Sequence, residues 1–170
     1  MIPRVLHQTW KDHEVPERFR AAQASWREAH PGWEYRFWTD DDLADVVERH
    51  APELVELWRG YPDAIQRVDA ARYVILREFG GAYVDLDVTC RRPVDDLLHH
   101  RLVLPSTTPF GVSNQFMLAE PGHDFFDHVL AGLPAAYRRW RFFWPRHVRI
   151  LKTAGPLFLT ARLEEYGEPD

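Results

Sequence analysis

Apolar and polar positions along the first ninety residues predict short strands separated by helices. Residues 4–10 and the aromatic-rich segment 34–38 have the composition of strands. Residues 17–30 predict a helix that a Pro-Gly pair ends, and Thr39 with three following aspartates predicts the capped start of another, which runs to about His50. Alternating strands and helices favour an α/β fold with a largely parallel sheet.

The strongest helix signal lies in residues 63–79, whose apolar positions recur every three or four residues. Gly80-Gly81 predicts the end of this helix, and residues 82–88 predict a strand that is apolar until its carboxylates appear. Beyond that strand the pattern weakens, and it predicts one further strand and two helices, at residues 115–119, 124–133 and 156–166.

The composition narrows the functional classes. A chain of 170 residues with 45% hydrophobic and 28% charged residues can bury a sizeable core. A formal net charge of −5 disfavours a nucleic-acid-binding protein. The one cysteine, Cys90, excludes an internal disulfide and a multi-cysteine metal site. Because no apolar run suggests a signal peptide or approaches the ~18 residues of a membrane helix, we expect a cytoplasmic protein.

Two carboxylates, Asp85 and Asp87, follow the apolar part of the third predicted strand. On an extended backbone, residues two apart point to the same side, so both side chains converge where unpaired buried charge is costly. A hard divalent cation that also carries substrate phosphates relieves this cost, which predicts a Mg²⁺ or Mn²⁺ site. Two solvated aspartates at a strand end are the alternative, because such a triplet alone is common.

Two further groups are candidates for ligand binding. Asp69 and Arg72, three residues apart on one helix face, form either a surface ion pair or a pair that holds a sugar and a phosphate. The first predicted strand ends in four residues at the edge where open α/β sheets bind ligands, namely His7, Gln8, Thr9 and Trp10. Trp10 could stack on a base there, although a Trp in this position is more often part of the core.

Six segments occur in an order that resembles a known family. They are residues 2–10 (IPRVLHQTW), 25–26 (SW), 31–35 (PGWEY), 38–40 (WTD), 67–73 (RVDAARY) and 80–87 (GGAYVDLD). Together they resemble the glycosyltransferases with a DXD sugar-binding region, which include initiating α-1,6-mannosyltransferases and bacterial capsular polysaccharide enzymes. The donor-site Asp, Arg and DXD pair also resemble those of the large glucosylating toxins in order and spacing.

The resemblance implies a GT-A type nucleotide-sugar-binding fold. It further implies metal-dependent, retaining transfer of a hexose from a GDP- or UDP-linked donor to a glycan or lipid-linked acceptor. We expect a single domain over residues 1–170, with the donor and metal-binding part at 1–98 and the acceptor-side part at 99–170.

The resemblance also assigns roles position by position. Asp85 and Asp87 bind Mn²⁺ or Mg²⁺ and the diphosphate, Asp69 and Arg72 hold the donor sugar, and Trp10 lies near the base. The expected catalytic residues are therefore Asp69, Arg72 and Asp85. The expected donor-binding residues are His7, Gln8, Thr9, Trp10, Asp69, Arg72, Asp85 and Asn114.

The second half of the chain resembles the family at residues 113–119 and at the Thr-x-Gly-Pro turn, 153–156. Asn114 in the first segment faces the donor or acceptor, or it belongs to a capped turn. Relatives usually continue past the second segment and take a further metal ligand there, so we expect a C-terminus shortened relative to them. Three side chains are candidate substitutes for that ligand, with water as the alternative: His123, Glu164 and Glu165.

Residues 138–152 form a basic, aromatic segment with six of the 21 basic residues and no acidic one. The rest of the chain therefore carries 15 basic and 26 acidic residues, a net charge of −11. Such a segment suits anionic lipid headgroups or a pyrophosphate-linked acceptor, or it packs against the acidic body. The first interpretation predicts peripheral contact of Arg138–Lys152 with the inner face of a membrane.

Two other functions stay open at this point. Residues 85–89 also resemble the nucleophile motif of haloacid-dehalogenase-like phosphatases, in which Asp85 would attack phosphate. Such proteins place this motif near the N-terminus and supply a later lysine, whereas here the motif comes midway and only Lys152 follows it. A non-enzymatic alternative is a domain that binds nucleotide-sugars or glycans without turnover.

Overall fold

A computed structural model describes residues 1–108 and 111–167. In those residues five strands form one sheet: β1 (Val5–Thr9), β2 (Glu34–Trp38), β3 (Gly81–Val84), β4 (Leu102–Val103) and β5 (Phe116–Ala119). The strand order is β2-β1-β3-β5-β4. β1 pairs in parallel with β2 and β3, whereas β5 is antiparallel to β3 and β4, so β5 alone of the five runs the opposite way. The predicted α/β class with a largely parallel sheet is confirmed.

The helices of the described residues are α1 (Glu17–Ala29), α2 (Asp40–His50), α3 (Val55–Arg59), α4 (Ala64–Phe79), α5 (Asp124–Trp140), α6 (Arg146–Thr153) and α7 (Pro156–Tyr166), with 3-10 turns at Pro52–Leu54 and Asp95–Leu97. In this part of the chain, none of them is long and apolar enough to cross a membrane. Helix α5 continues past Pro134, where the sequence predicts an end. Burial of its apolar face against α4 and α7 offsets the backbone hydrogen bond that proline removes.

Helices cover both faces of the sheet, because alternate side chains of each central strand point to opposite faces. On one face, Ala82 and Val84 of β3 pack with Leu6 of β1 and with Trp26 of α1. On the other face, Tyr83 joins the larger core cluster formed by α2, α4, α5 and α7. Asp85 follows Tyr83 at a spacing of two and therefore leaves the sheet on the α4 side.

The junction of α4 and β3 places α4 over the end of the sheet at which β3 finishes. Gly80 and Gly81 have φ angles of +61° and +87°, which glycine adopts without strain. A Cβ on Gly81 would lie 2.5 Å from the carbonyl oxygen of Val5, so no larger residue fits beside β1. The chain reverses here, and the first half of α4 lies against the carboxyl end of β3.

The strand order reverses at β1, which lies between β2 and β3. The connections that follow β1 and β2 therefore leave the centre of the sheet in opposite directions. In open α/β sheets such a reversal leaves a crevice outside the carboxyl ends of the strands, and ligands bind there. The residues that follow β1 and β3 are Trp10 and Asp85, so the topology alone brings these two parts of the predicted site together.

Candidate active site

A pocket of about 340 Å³ lies at the carboxyl ends of β1 and β3, within the range of small-molecule sites. Its walls are Thr9, Trp10, Lys11, Phe19, Asp40, Ala64, Ile65, Val68, Arg72, Asp85, Leu86 and Asp87. A larger concavity of about 600 Å³ lies on the surface around His13 and Phe37. Because that concavity contains none of the predicted site residues, the first pocket is the candidate active site.

The two carboxylates of the DXD triplet meet in a turn. β3 ends at Val84, and the backbone N–H of Val88 donates to the carbonyl of Asp85 at 3.1 Å. The prediction that an extended backbone places both on one side is therefore wrong in its geometry, although both carboxylates do line the same pocket. Leu86, buried in the core, anchors the turn between a half-buried Asp85 and an exposed Asp87.

Arg72, a residue of the pocket wall, is the centre of a buried charge cluster. Only 1% of this residue is exposed. Its Nη2 lies 3.0 Å from Asp69 Oδ1, and its Nη1 lies 3.3 Å from Asp85 Oδ1. Nη1 also donates to the Asn114 carbonyl at 2.6 Å, and the guanidinium lies 4.6 Å from the ring centre of Tyr83. The alternative of a surface ion pair is therefore wrong, because these contacts lie inside the protein.

The electrostatics of this cluster keep Arg72 charged and make ionisation of its two carboxylates less favourable. Burial alone would lower the pKa of Arg72, but Asp85, Tyr83 and Asp69 together raise it. Burial raises the pKa of Asp69 to about 6, against the attraction of Arg72. Burial also raises the pKa of Asp85; Arg72 opposes this rise, and the negative charge of Asp87 adds to it. A cation placed between the two DXD carboxylates would stabilise the charged form of both.

Asp69 and Asn114 lie one layer behind the pocket wall. Asn114 Nδ2 donates to Asp69 Oδ1 at 2.9 Å and to the Tyr73 hydroxyl at 3.3 Å. Both residues are at least 95% buried, and neither is among the residues that line the pocket. In this structure they hold Arg72 in place, whereas the sequence assigns them contacts with the donor.

The Thr-x-Gly-Pro turn supports the same cluster from the other side. Tyr73 donates its hydroxyl hydrogen to the Ala154 carbonyl at 2.7 Å. Gln66 Nε2 donates to Thr153 Oγ1 at 2.6 Å, and that hydroxyl donates to the Arg149 carbonyl at 2.8 Å. The turn therefore links α6 and α7 to α4, the helix that carries Arg72.

Thr9 and Trp10 form the wall contributed by β1. The Thr9 hydroxyl and the Tyr83 hydroxyl are 2.8 Å apart, next to Asp85. The Trp10 ring meets Phe19 edge-on, with 5.4 Å between ring centres. Its indole N–H is buried and has no hydrogen-bond partner in the described part of the chain. Such an unpaired donor is rare, because buried donors are nearly always satisfied.

His7 and Gln8 lie in the core, and neither is among the residues that line the pocket. The Trp38 indole N–H donates to His7 Nδ1 at 3.1 Å, and His7 Nε2 lies 2.9 Å from the Gly80 carbonyl. His7 is therefore a neutral ring with its hydrogen on Nε2, and it ties β1 to the end of α4. The donor-binding role that the sequence assigns to this residue does not fit its position.

We expect His7 to make the protein less stable in mild acid. Burial lowers the pKa of His7 from 6.5 to about 4. Between these values the unfolded chain binds a proton that the folded protein does not, so stability falls as the pH drops from about 6.5 to about 4. The loss is on the order of 3 kcal/mol, and urea unfolding at pH 7 and pH 4 measures it.

A His7→Gln variant provides the comparison. We expect it to be less stable than the unmodified protein at pH 7 but to lose less stability on acidification. Other groups, including Asp69 with its raised pKa, titrate in both proteins and largely cancel in the difference. If the two stability curves run parallel, His7 does not contribute to the pH dependence.

The predicted substitutes for a further metal ligand lie elsewhere. His123 caps the start of α5 and accepts a hydrogen bond from the backbone of Phe125. Glu165 pairs with Arg162 on α7, where Glu164 is also exposed. Among residues 1–108 and 111–167, no three or more His, Cys, Asp or Glu side chains form a group that could hold a metal ion. A cation held by Asp85 and Asp87 would therefore find no third ligand of these residue types within the described ranges.

Two charged residues of the pocket wall, Lys11 and Asp40, were not predicted. Asp40 begins α2 just after β2, and the sequence placed it in the first turn of that helix and in one of the six family segments, without a ligand-binding role. The rule that ligands bind at the carboxyl ends of strands applies to β2 as well as to β1. Applied to β2, the rule identifies Asp40, whereas Lys11 lies one residue beyond the four that were named at the end of β1.

A comparison with known protein families shows the family of this chain. Residues 16–104, just over half of the chain, match the family described as the glycosyltransferase sugar-binding region containing the DXD motif. The chain belongs to this family. The resemblance carried by the six sequence segments is thereby confirmed, and so is the prediction of a glycosyltransferase family.

Several curated relatives of this family member have names that refer to mannosyl transfer or to mannosylated lipids. It is 38% identical over 169 residues to inositol phosphoceramide mannosyltransferase 1 of Schizosaccharomyces pombe, covering 97% of this chain and 52% of that protein. It is 36% identical over 166 residues to mannosyl phosphorylinositol ceramide synthase SUR1 of Saccharomyces cerevisiae, covering 98% and 43%. The initiation-specific α-1,6-mannosyltransferase of Candida albicans is 30% identical over 102 residues, covering 56% and 26%. The chain thus spans about half the length of the first two.

A solved structure confirms the fold. The PaToxG glycosyltransferase superposes with a TM-score of 0.71 over 97% of this chain and 70% of that chain. With 15% sequence identity, this likeness shows a shared glycosyltransferase fold.

Proposed function

We propose that this family member is a metal-dependent, retaining glycosyltransferase that moves a hexose from a GDP- or UDP-linked donor to a glycan or lipid-linked acceptor. The names of its relatives favour mannose as the hexose. One observation carries the proposal: a buried Arg72 holds Asp85 at the wall of a pocket that Asp87 also lines. Buried ion clusters add little stability compared with apolar residues of similar volume, so such a cluster points to function.

The donor set fits Mn²⁺ or Mg²⁺. These ions accept one or two protein carboxylates and take their remaining ligands from substrate phosphates and water. Asp85 and Asp87 provide two carboxylates in one turn, and their mutual repulsion contributes to the raised pKa of Asp85. When bound, the cation would neutralise the diphosphate of the leaving group.

The other pocket residues suit the rest of a nucleotide-sugar. The pocket wall carries two cations, Lys11 and Arg72, beside three carboxylates, and Lys11 is placed to attract the diphosphate. The Trp10 ring lines the pocket and provides a flat surface for the base. Arg72 presents a fixed positive charge in a low-dielectric wall, where charge that develops during transfer is stabilised most strongly.

For the acceptor we propose a lipid that carries a phosphate, because two relatives are named for phosphoinositol ceramide lipids. Arg138–Lys152 supports this choice through its position. Arg146 and Arg149 bond to Asp63, the residue that caps α4, and Ala64 and Ile65 directly after it line the pocket. We propose that the segment contacts a membrane surface and holds the pocket near its acceptor. A cytoplasmic location, at the inner face of that membrane, stays a prediction.

A screen of nucleotide-sugars tests this function. We expect one GDP- or UDP-hexose, in the presence of Mn²⁺, to raise the melting temperature and to be hydrolysed slowly when no acceptor is added. At 100-fold excess over its Kd, a ligand stabilises the protein by about 2.7 kcal/mol, which corresponds to a shift of several degrees.

The screen also separates the alternatives. Binding without turnover of donor or acceptor would favour a non-catalytic domain. Release of phosphate from a simple phosphate monoester would favour the phosphatase mechanism at Asp85. If no nucleotide-sugar stabilises the protein, the proposal is wrong.

A further inference from the structure

A second pocket of about 340 Å³ lies between α5, α6 and α7, and it shares no residue with the candidate active site. Part of its wall consists of small and apolar side chains, which are Gly132, Ala135, Ala136, Leu157, Phe158 and Ala161. The rest consists of three basic residues, one Trp and one acid, which are Arg139, Trp140, Lys152, Arg162 and Glu165. A pocket whose wall combines apolar and basic side chains fits an anionic amphiphile.

Two of the basic residues are available to bind an anion. Lys152 Nζ lies 4.1 Å and the Arg139 guanidinium 5.2 Å from the ring centre of Trp140. Over the described ranges, neither of them lies within 4.0 Å of a carboxylate, whereas Arg162 pairs with Glu165. Trp140 thus brings two cations with no acidic partner to the same place, which favours a group with several anionic oxygens, such as a phosphate.

An exposed aromatic tip at residues 142–144 adjoins this pocket. Phe142, Phe143 and Trp144 are 57%, 104% and 47% exposed, and the Trp144 ring lies 5.0 Å from that of Trp140. Phe143 has a φ of +66°, a conformation that is rare for a bulky residue, and in it the ring projects into solvent. Three adjacent exposed rings cost free energy in water and suit the interface of a lipid bilayer.

We infer that the α5–α7 pocket binds the phosphate-bearing headgroup of an anionic phospholipid. Arg139 and Lys152 contact the phosphate oxygens, and the aromatic tip lies among the acyl chains. An acidic peptide would leave the tip in water, so the tip and the cations together favour lipid. This pocket is then the site at which the protein contacts the membrane. The inference rests on the proposed function only for the claim that this membrane carries the acceptor.

Titration with a short-chain phosphatidylglycerol, kept below its critical micelle concentration, tests the pocket without a charged surface. We expect saturable binding by the 170-residue chain, and an Arg139→Ser, Lys152→Ser variant should bind about 30-fold more weakly. The matched control is Arg138→Ser, Arg141→Ser, which removes the same charge from the same segment but at residues outside the pocket wall. Its affinity should stay within about threefold, because exposed charges away from the ligand are largely screened.

Vesicles and a soluble anion complete the experiment. A Phe143→Ser variant should bind phosphatidylglycerol vesicles more weakly but should still bind the short-chain lipid. Inorganic phosphate at the same concentration should not compete, because the apolar wall contributes to lipid binding.

Three results would overturn the inference. The first is an equal loss of affinity for the short-chain lipid in the two double variants. The second is binding of inorganic phosphate as tight as that of the lipid. The third is self-association that Phe143→Ser abolishes in a protein that binds no lipid. Donor hydrolysis is measured in parallel. Hydrolysis without lipid binding defeats this inference alone, whereas lipid binding without any donor turnover defeats the proposed transferase.

Discussion

Replacing Arg72 with alanine is expected to cost about 3–5 kcal/mol of folding stability and to abolish transfer, because the change leaves buried carboxylates without their counter-charge. Asp69 is 4% exposed and has Arg72 as its cationic partner at 3.0 Å. Urea unfolding measures the loss of stability. Arg72→Ala alone does not separate a structural role from a catalytic one, since an unfolded variant is inactive whichever role Arg72 has.

The conservative variant Arg72→Lys separates the two roles. Lysine keeps the positive charge but cannot reach Asp69, Asp85 and the Asn114 carbonyl with one planar group. We expect a folded protein whose transfer rate is lower by about two to three decades. Arg77→Lys, at the far end of the same helix, is the control and should transfer normally. If Arg72→Lys is folded and transfers at the unmodified rate, Arg72 serves only the fold.

The second large effect is expected at Asp87. Replacing it with alanine should weaken metal-dependent donor binding by more than about 100-fold, since even residues that only support metal ligands contribute about 10–100-fold. Asp87 is exposed, so its removal should change the free energy of unfolding by less than about 0.5 kcal/mol. The measurement is the rise in melting temperature that the donor induces. It is recorded for the variant with Mn²⁺ and for the unmodified protein both with Mn²⁺ and with EDTA instead.

A carboxylate outside the pocket provides the control for Asp87. Asp41, exposed on α2, is not among the pocket residues, and Asp41→Ala should bind the donor normally. Full transfer activity in excess EDTA would show that the two DXD aspartates act without a metal ion.

The sequence by itself determined those features that depend on neighbouring residues. The periods of apolar positions located β1, β2, α1, α2 and α4 to within a few residues. Gly80-Gly81 marked the sharp reversal, because only glycine adopts the required φ beside a neighbouring strand. The DXD triplet and the six ordered segments indicated the glycosyltransferase family, since motif order is itself a property of the sequence.

Local patterns failed where tertiary packing outweighed them. Pro134 predicts a helix end, yet α5 continues to Trp140 because its apolar face is buried. The basic segment carried no helix signal, yet α6 forms from residue 146 onward. His7 has the residue type of a ligand-binding group, but its position in β1 points it into the core against Trp38 and Phe79.

Only the tertiary structure decided what the site residues contact. The ion pair of Arg72 with Asp85, and the hydrogen bond of Asn114 with Asp69, join residues 13 and 45 positions apart in sequence. Lys11 and Asp40 reach the pocket because β1, β2 and β3 end at the same edge of the sheet. Sequence spacing determines which side chains lie on the same face of a helix or strand. The order of the strands decides which of these side chains come into contact, and burial then shifts their pKa values.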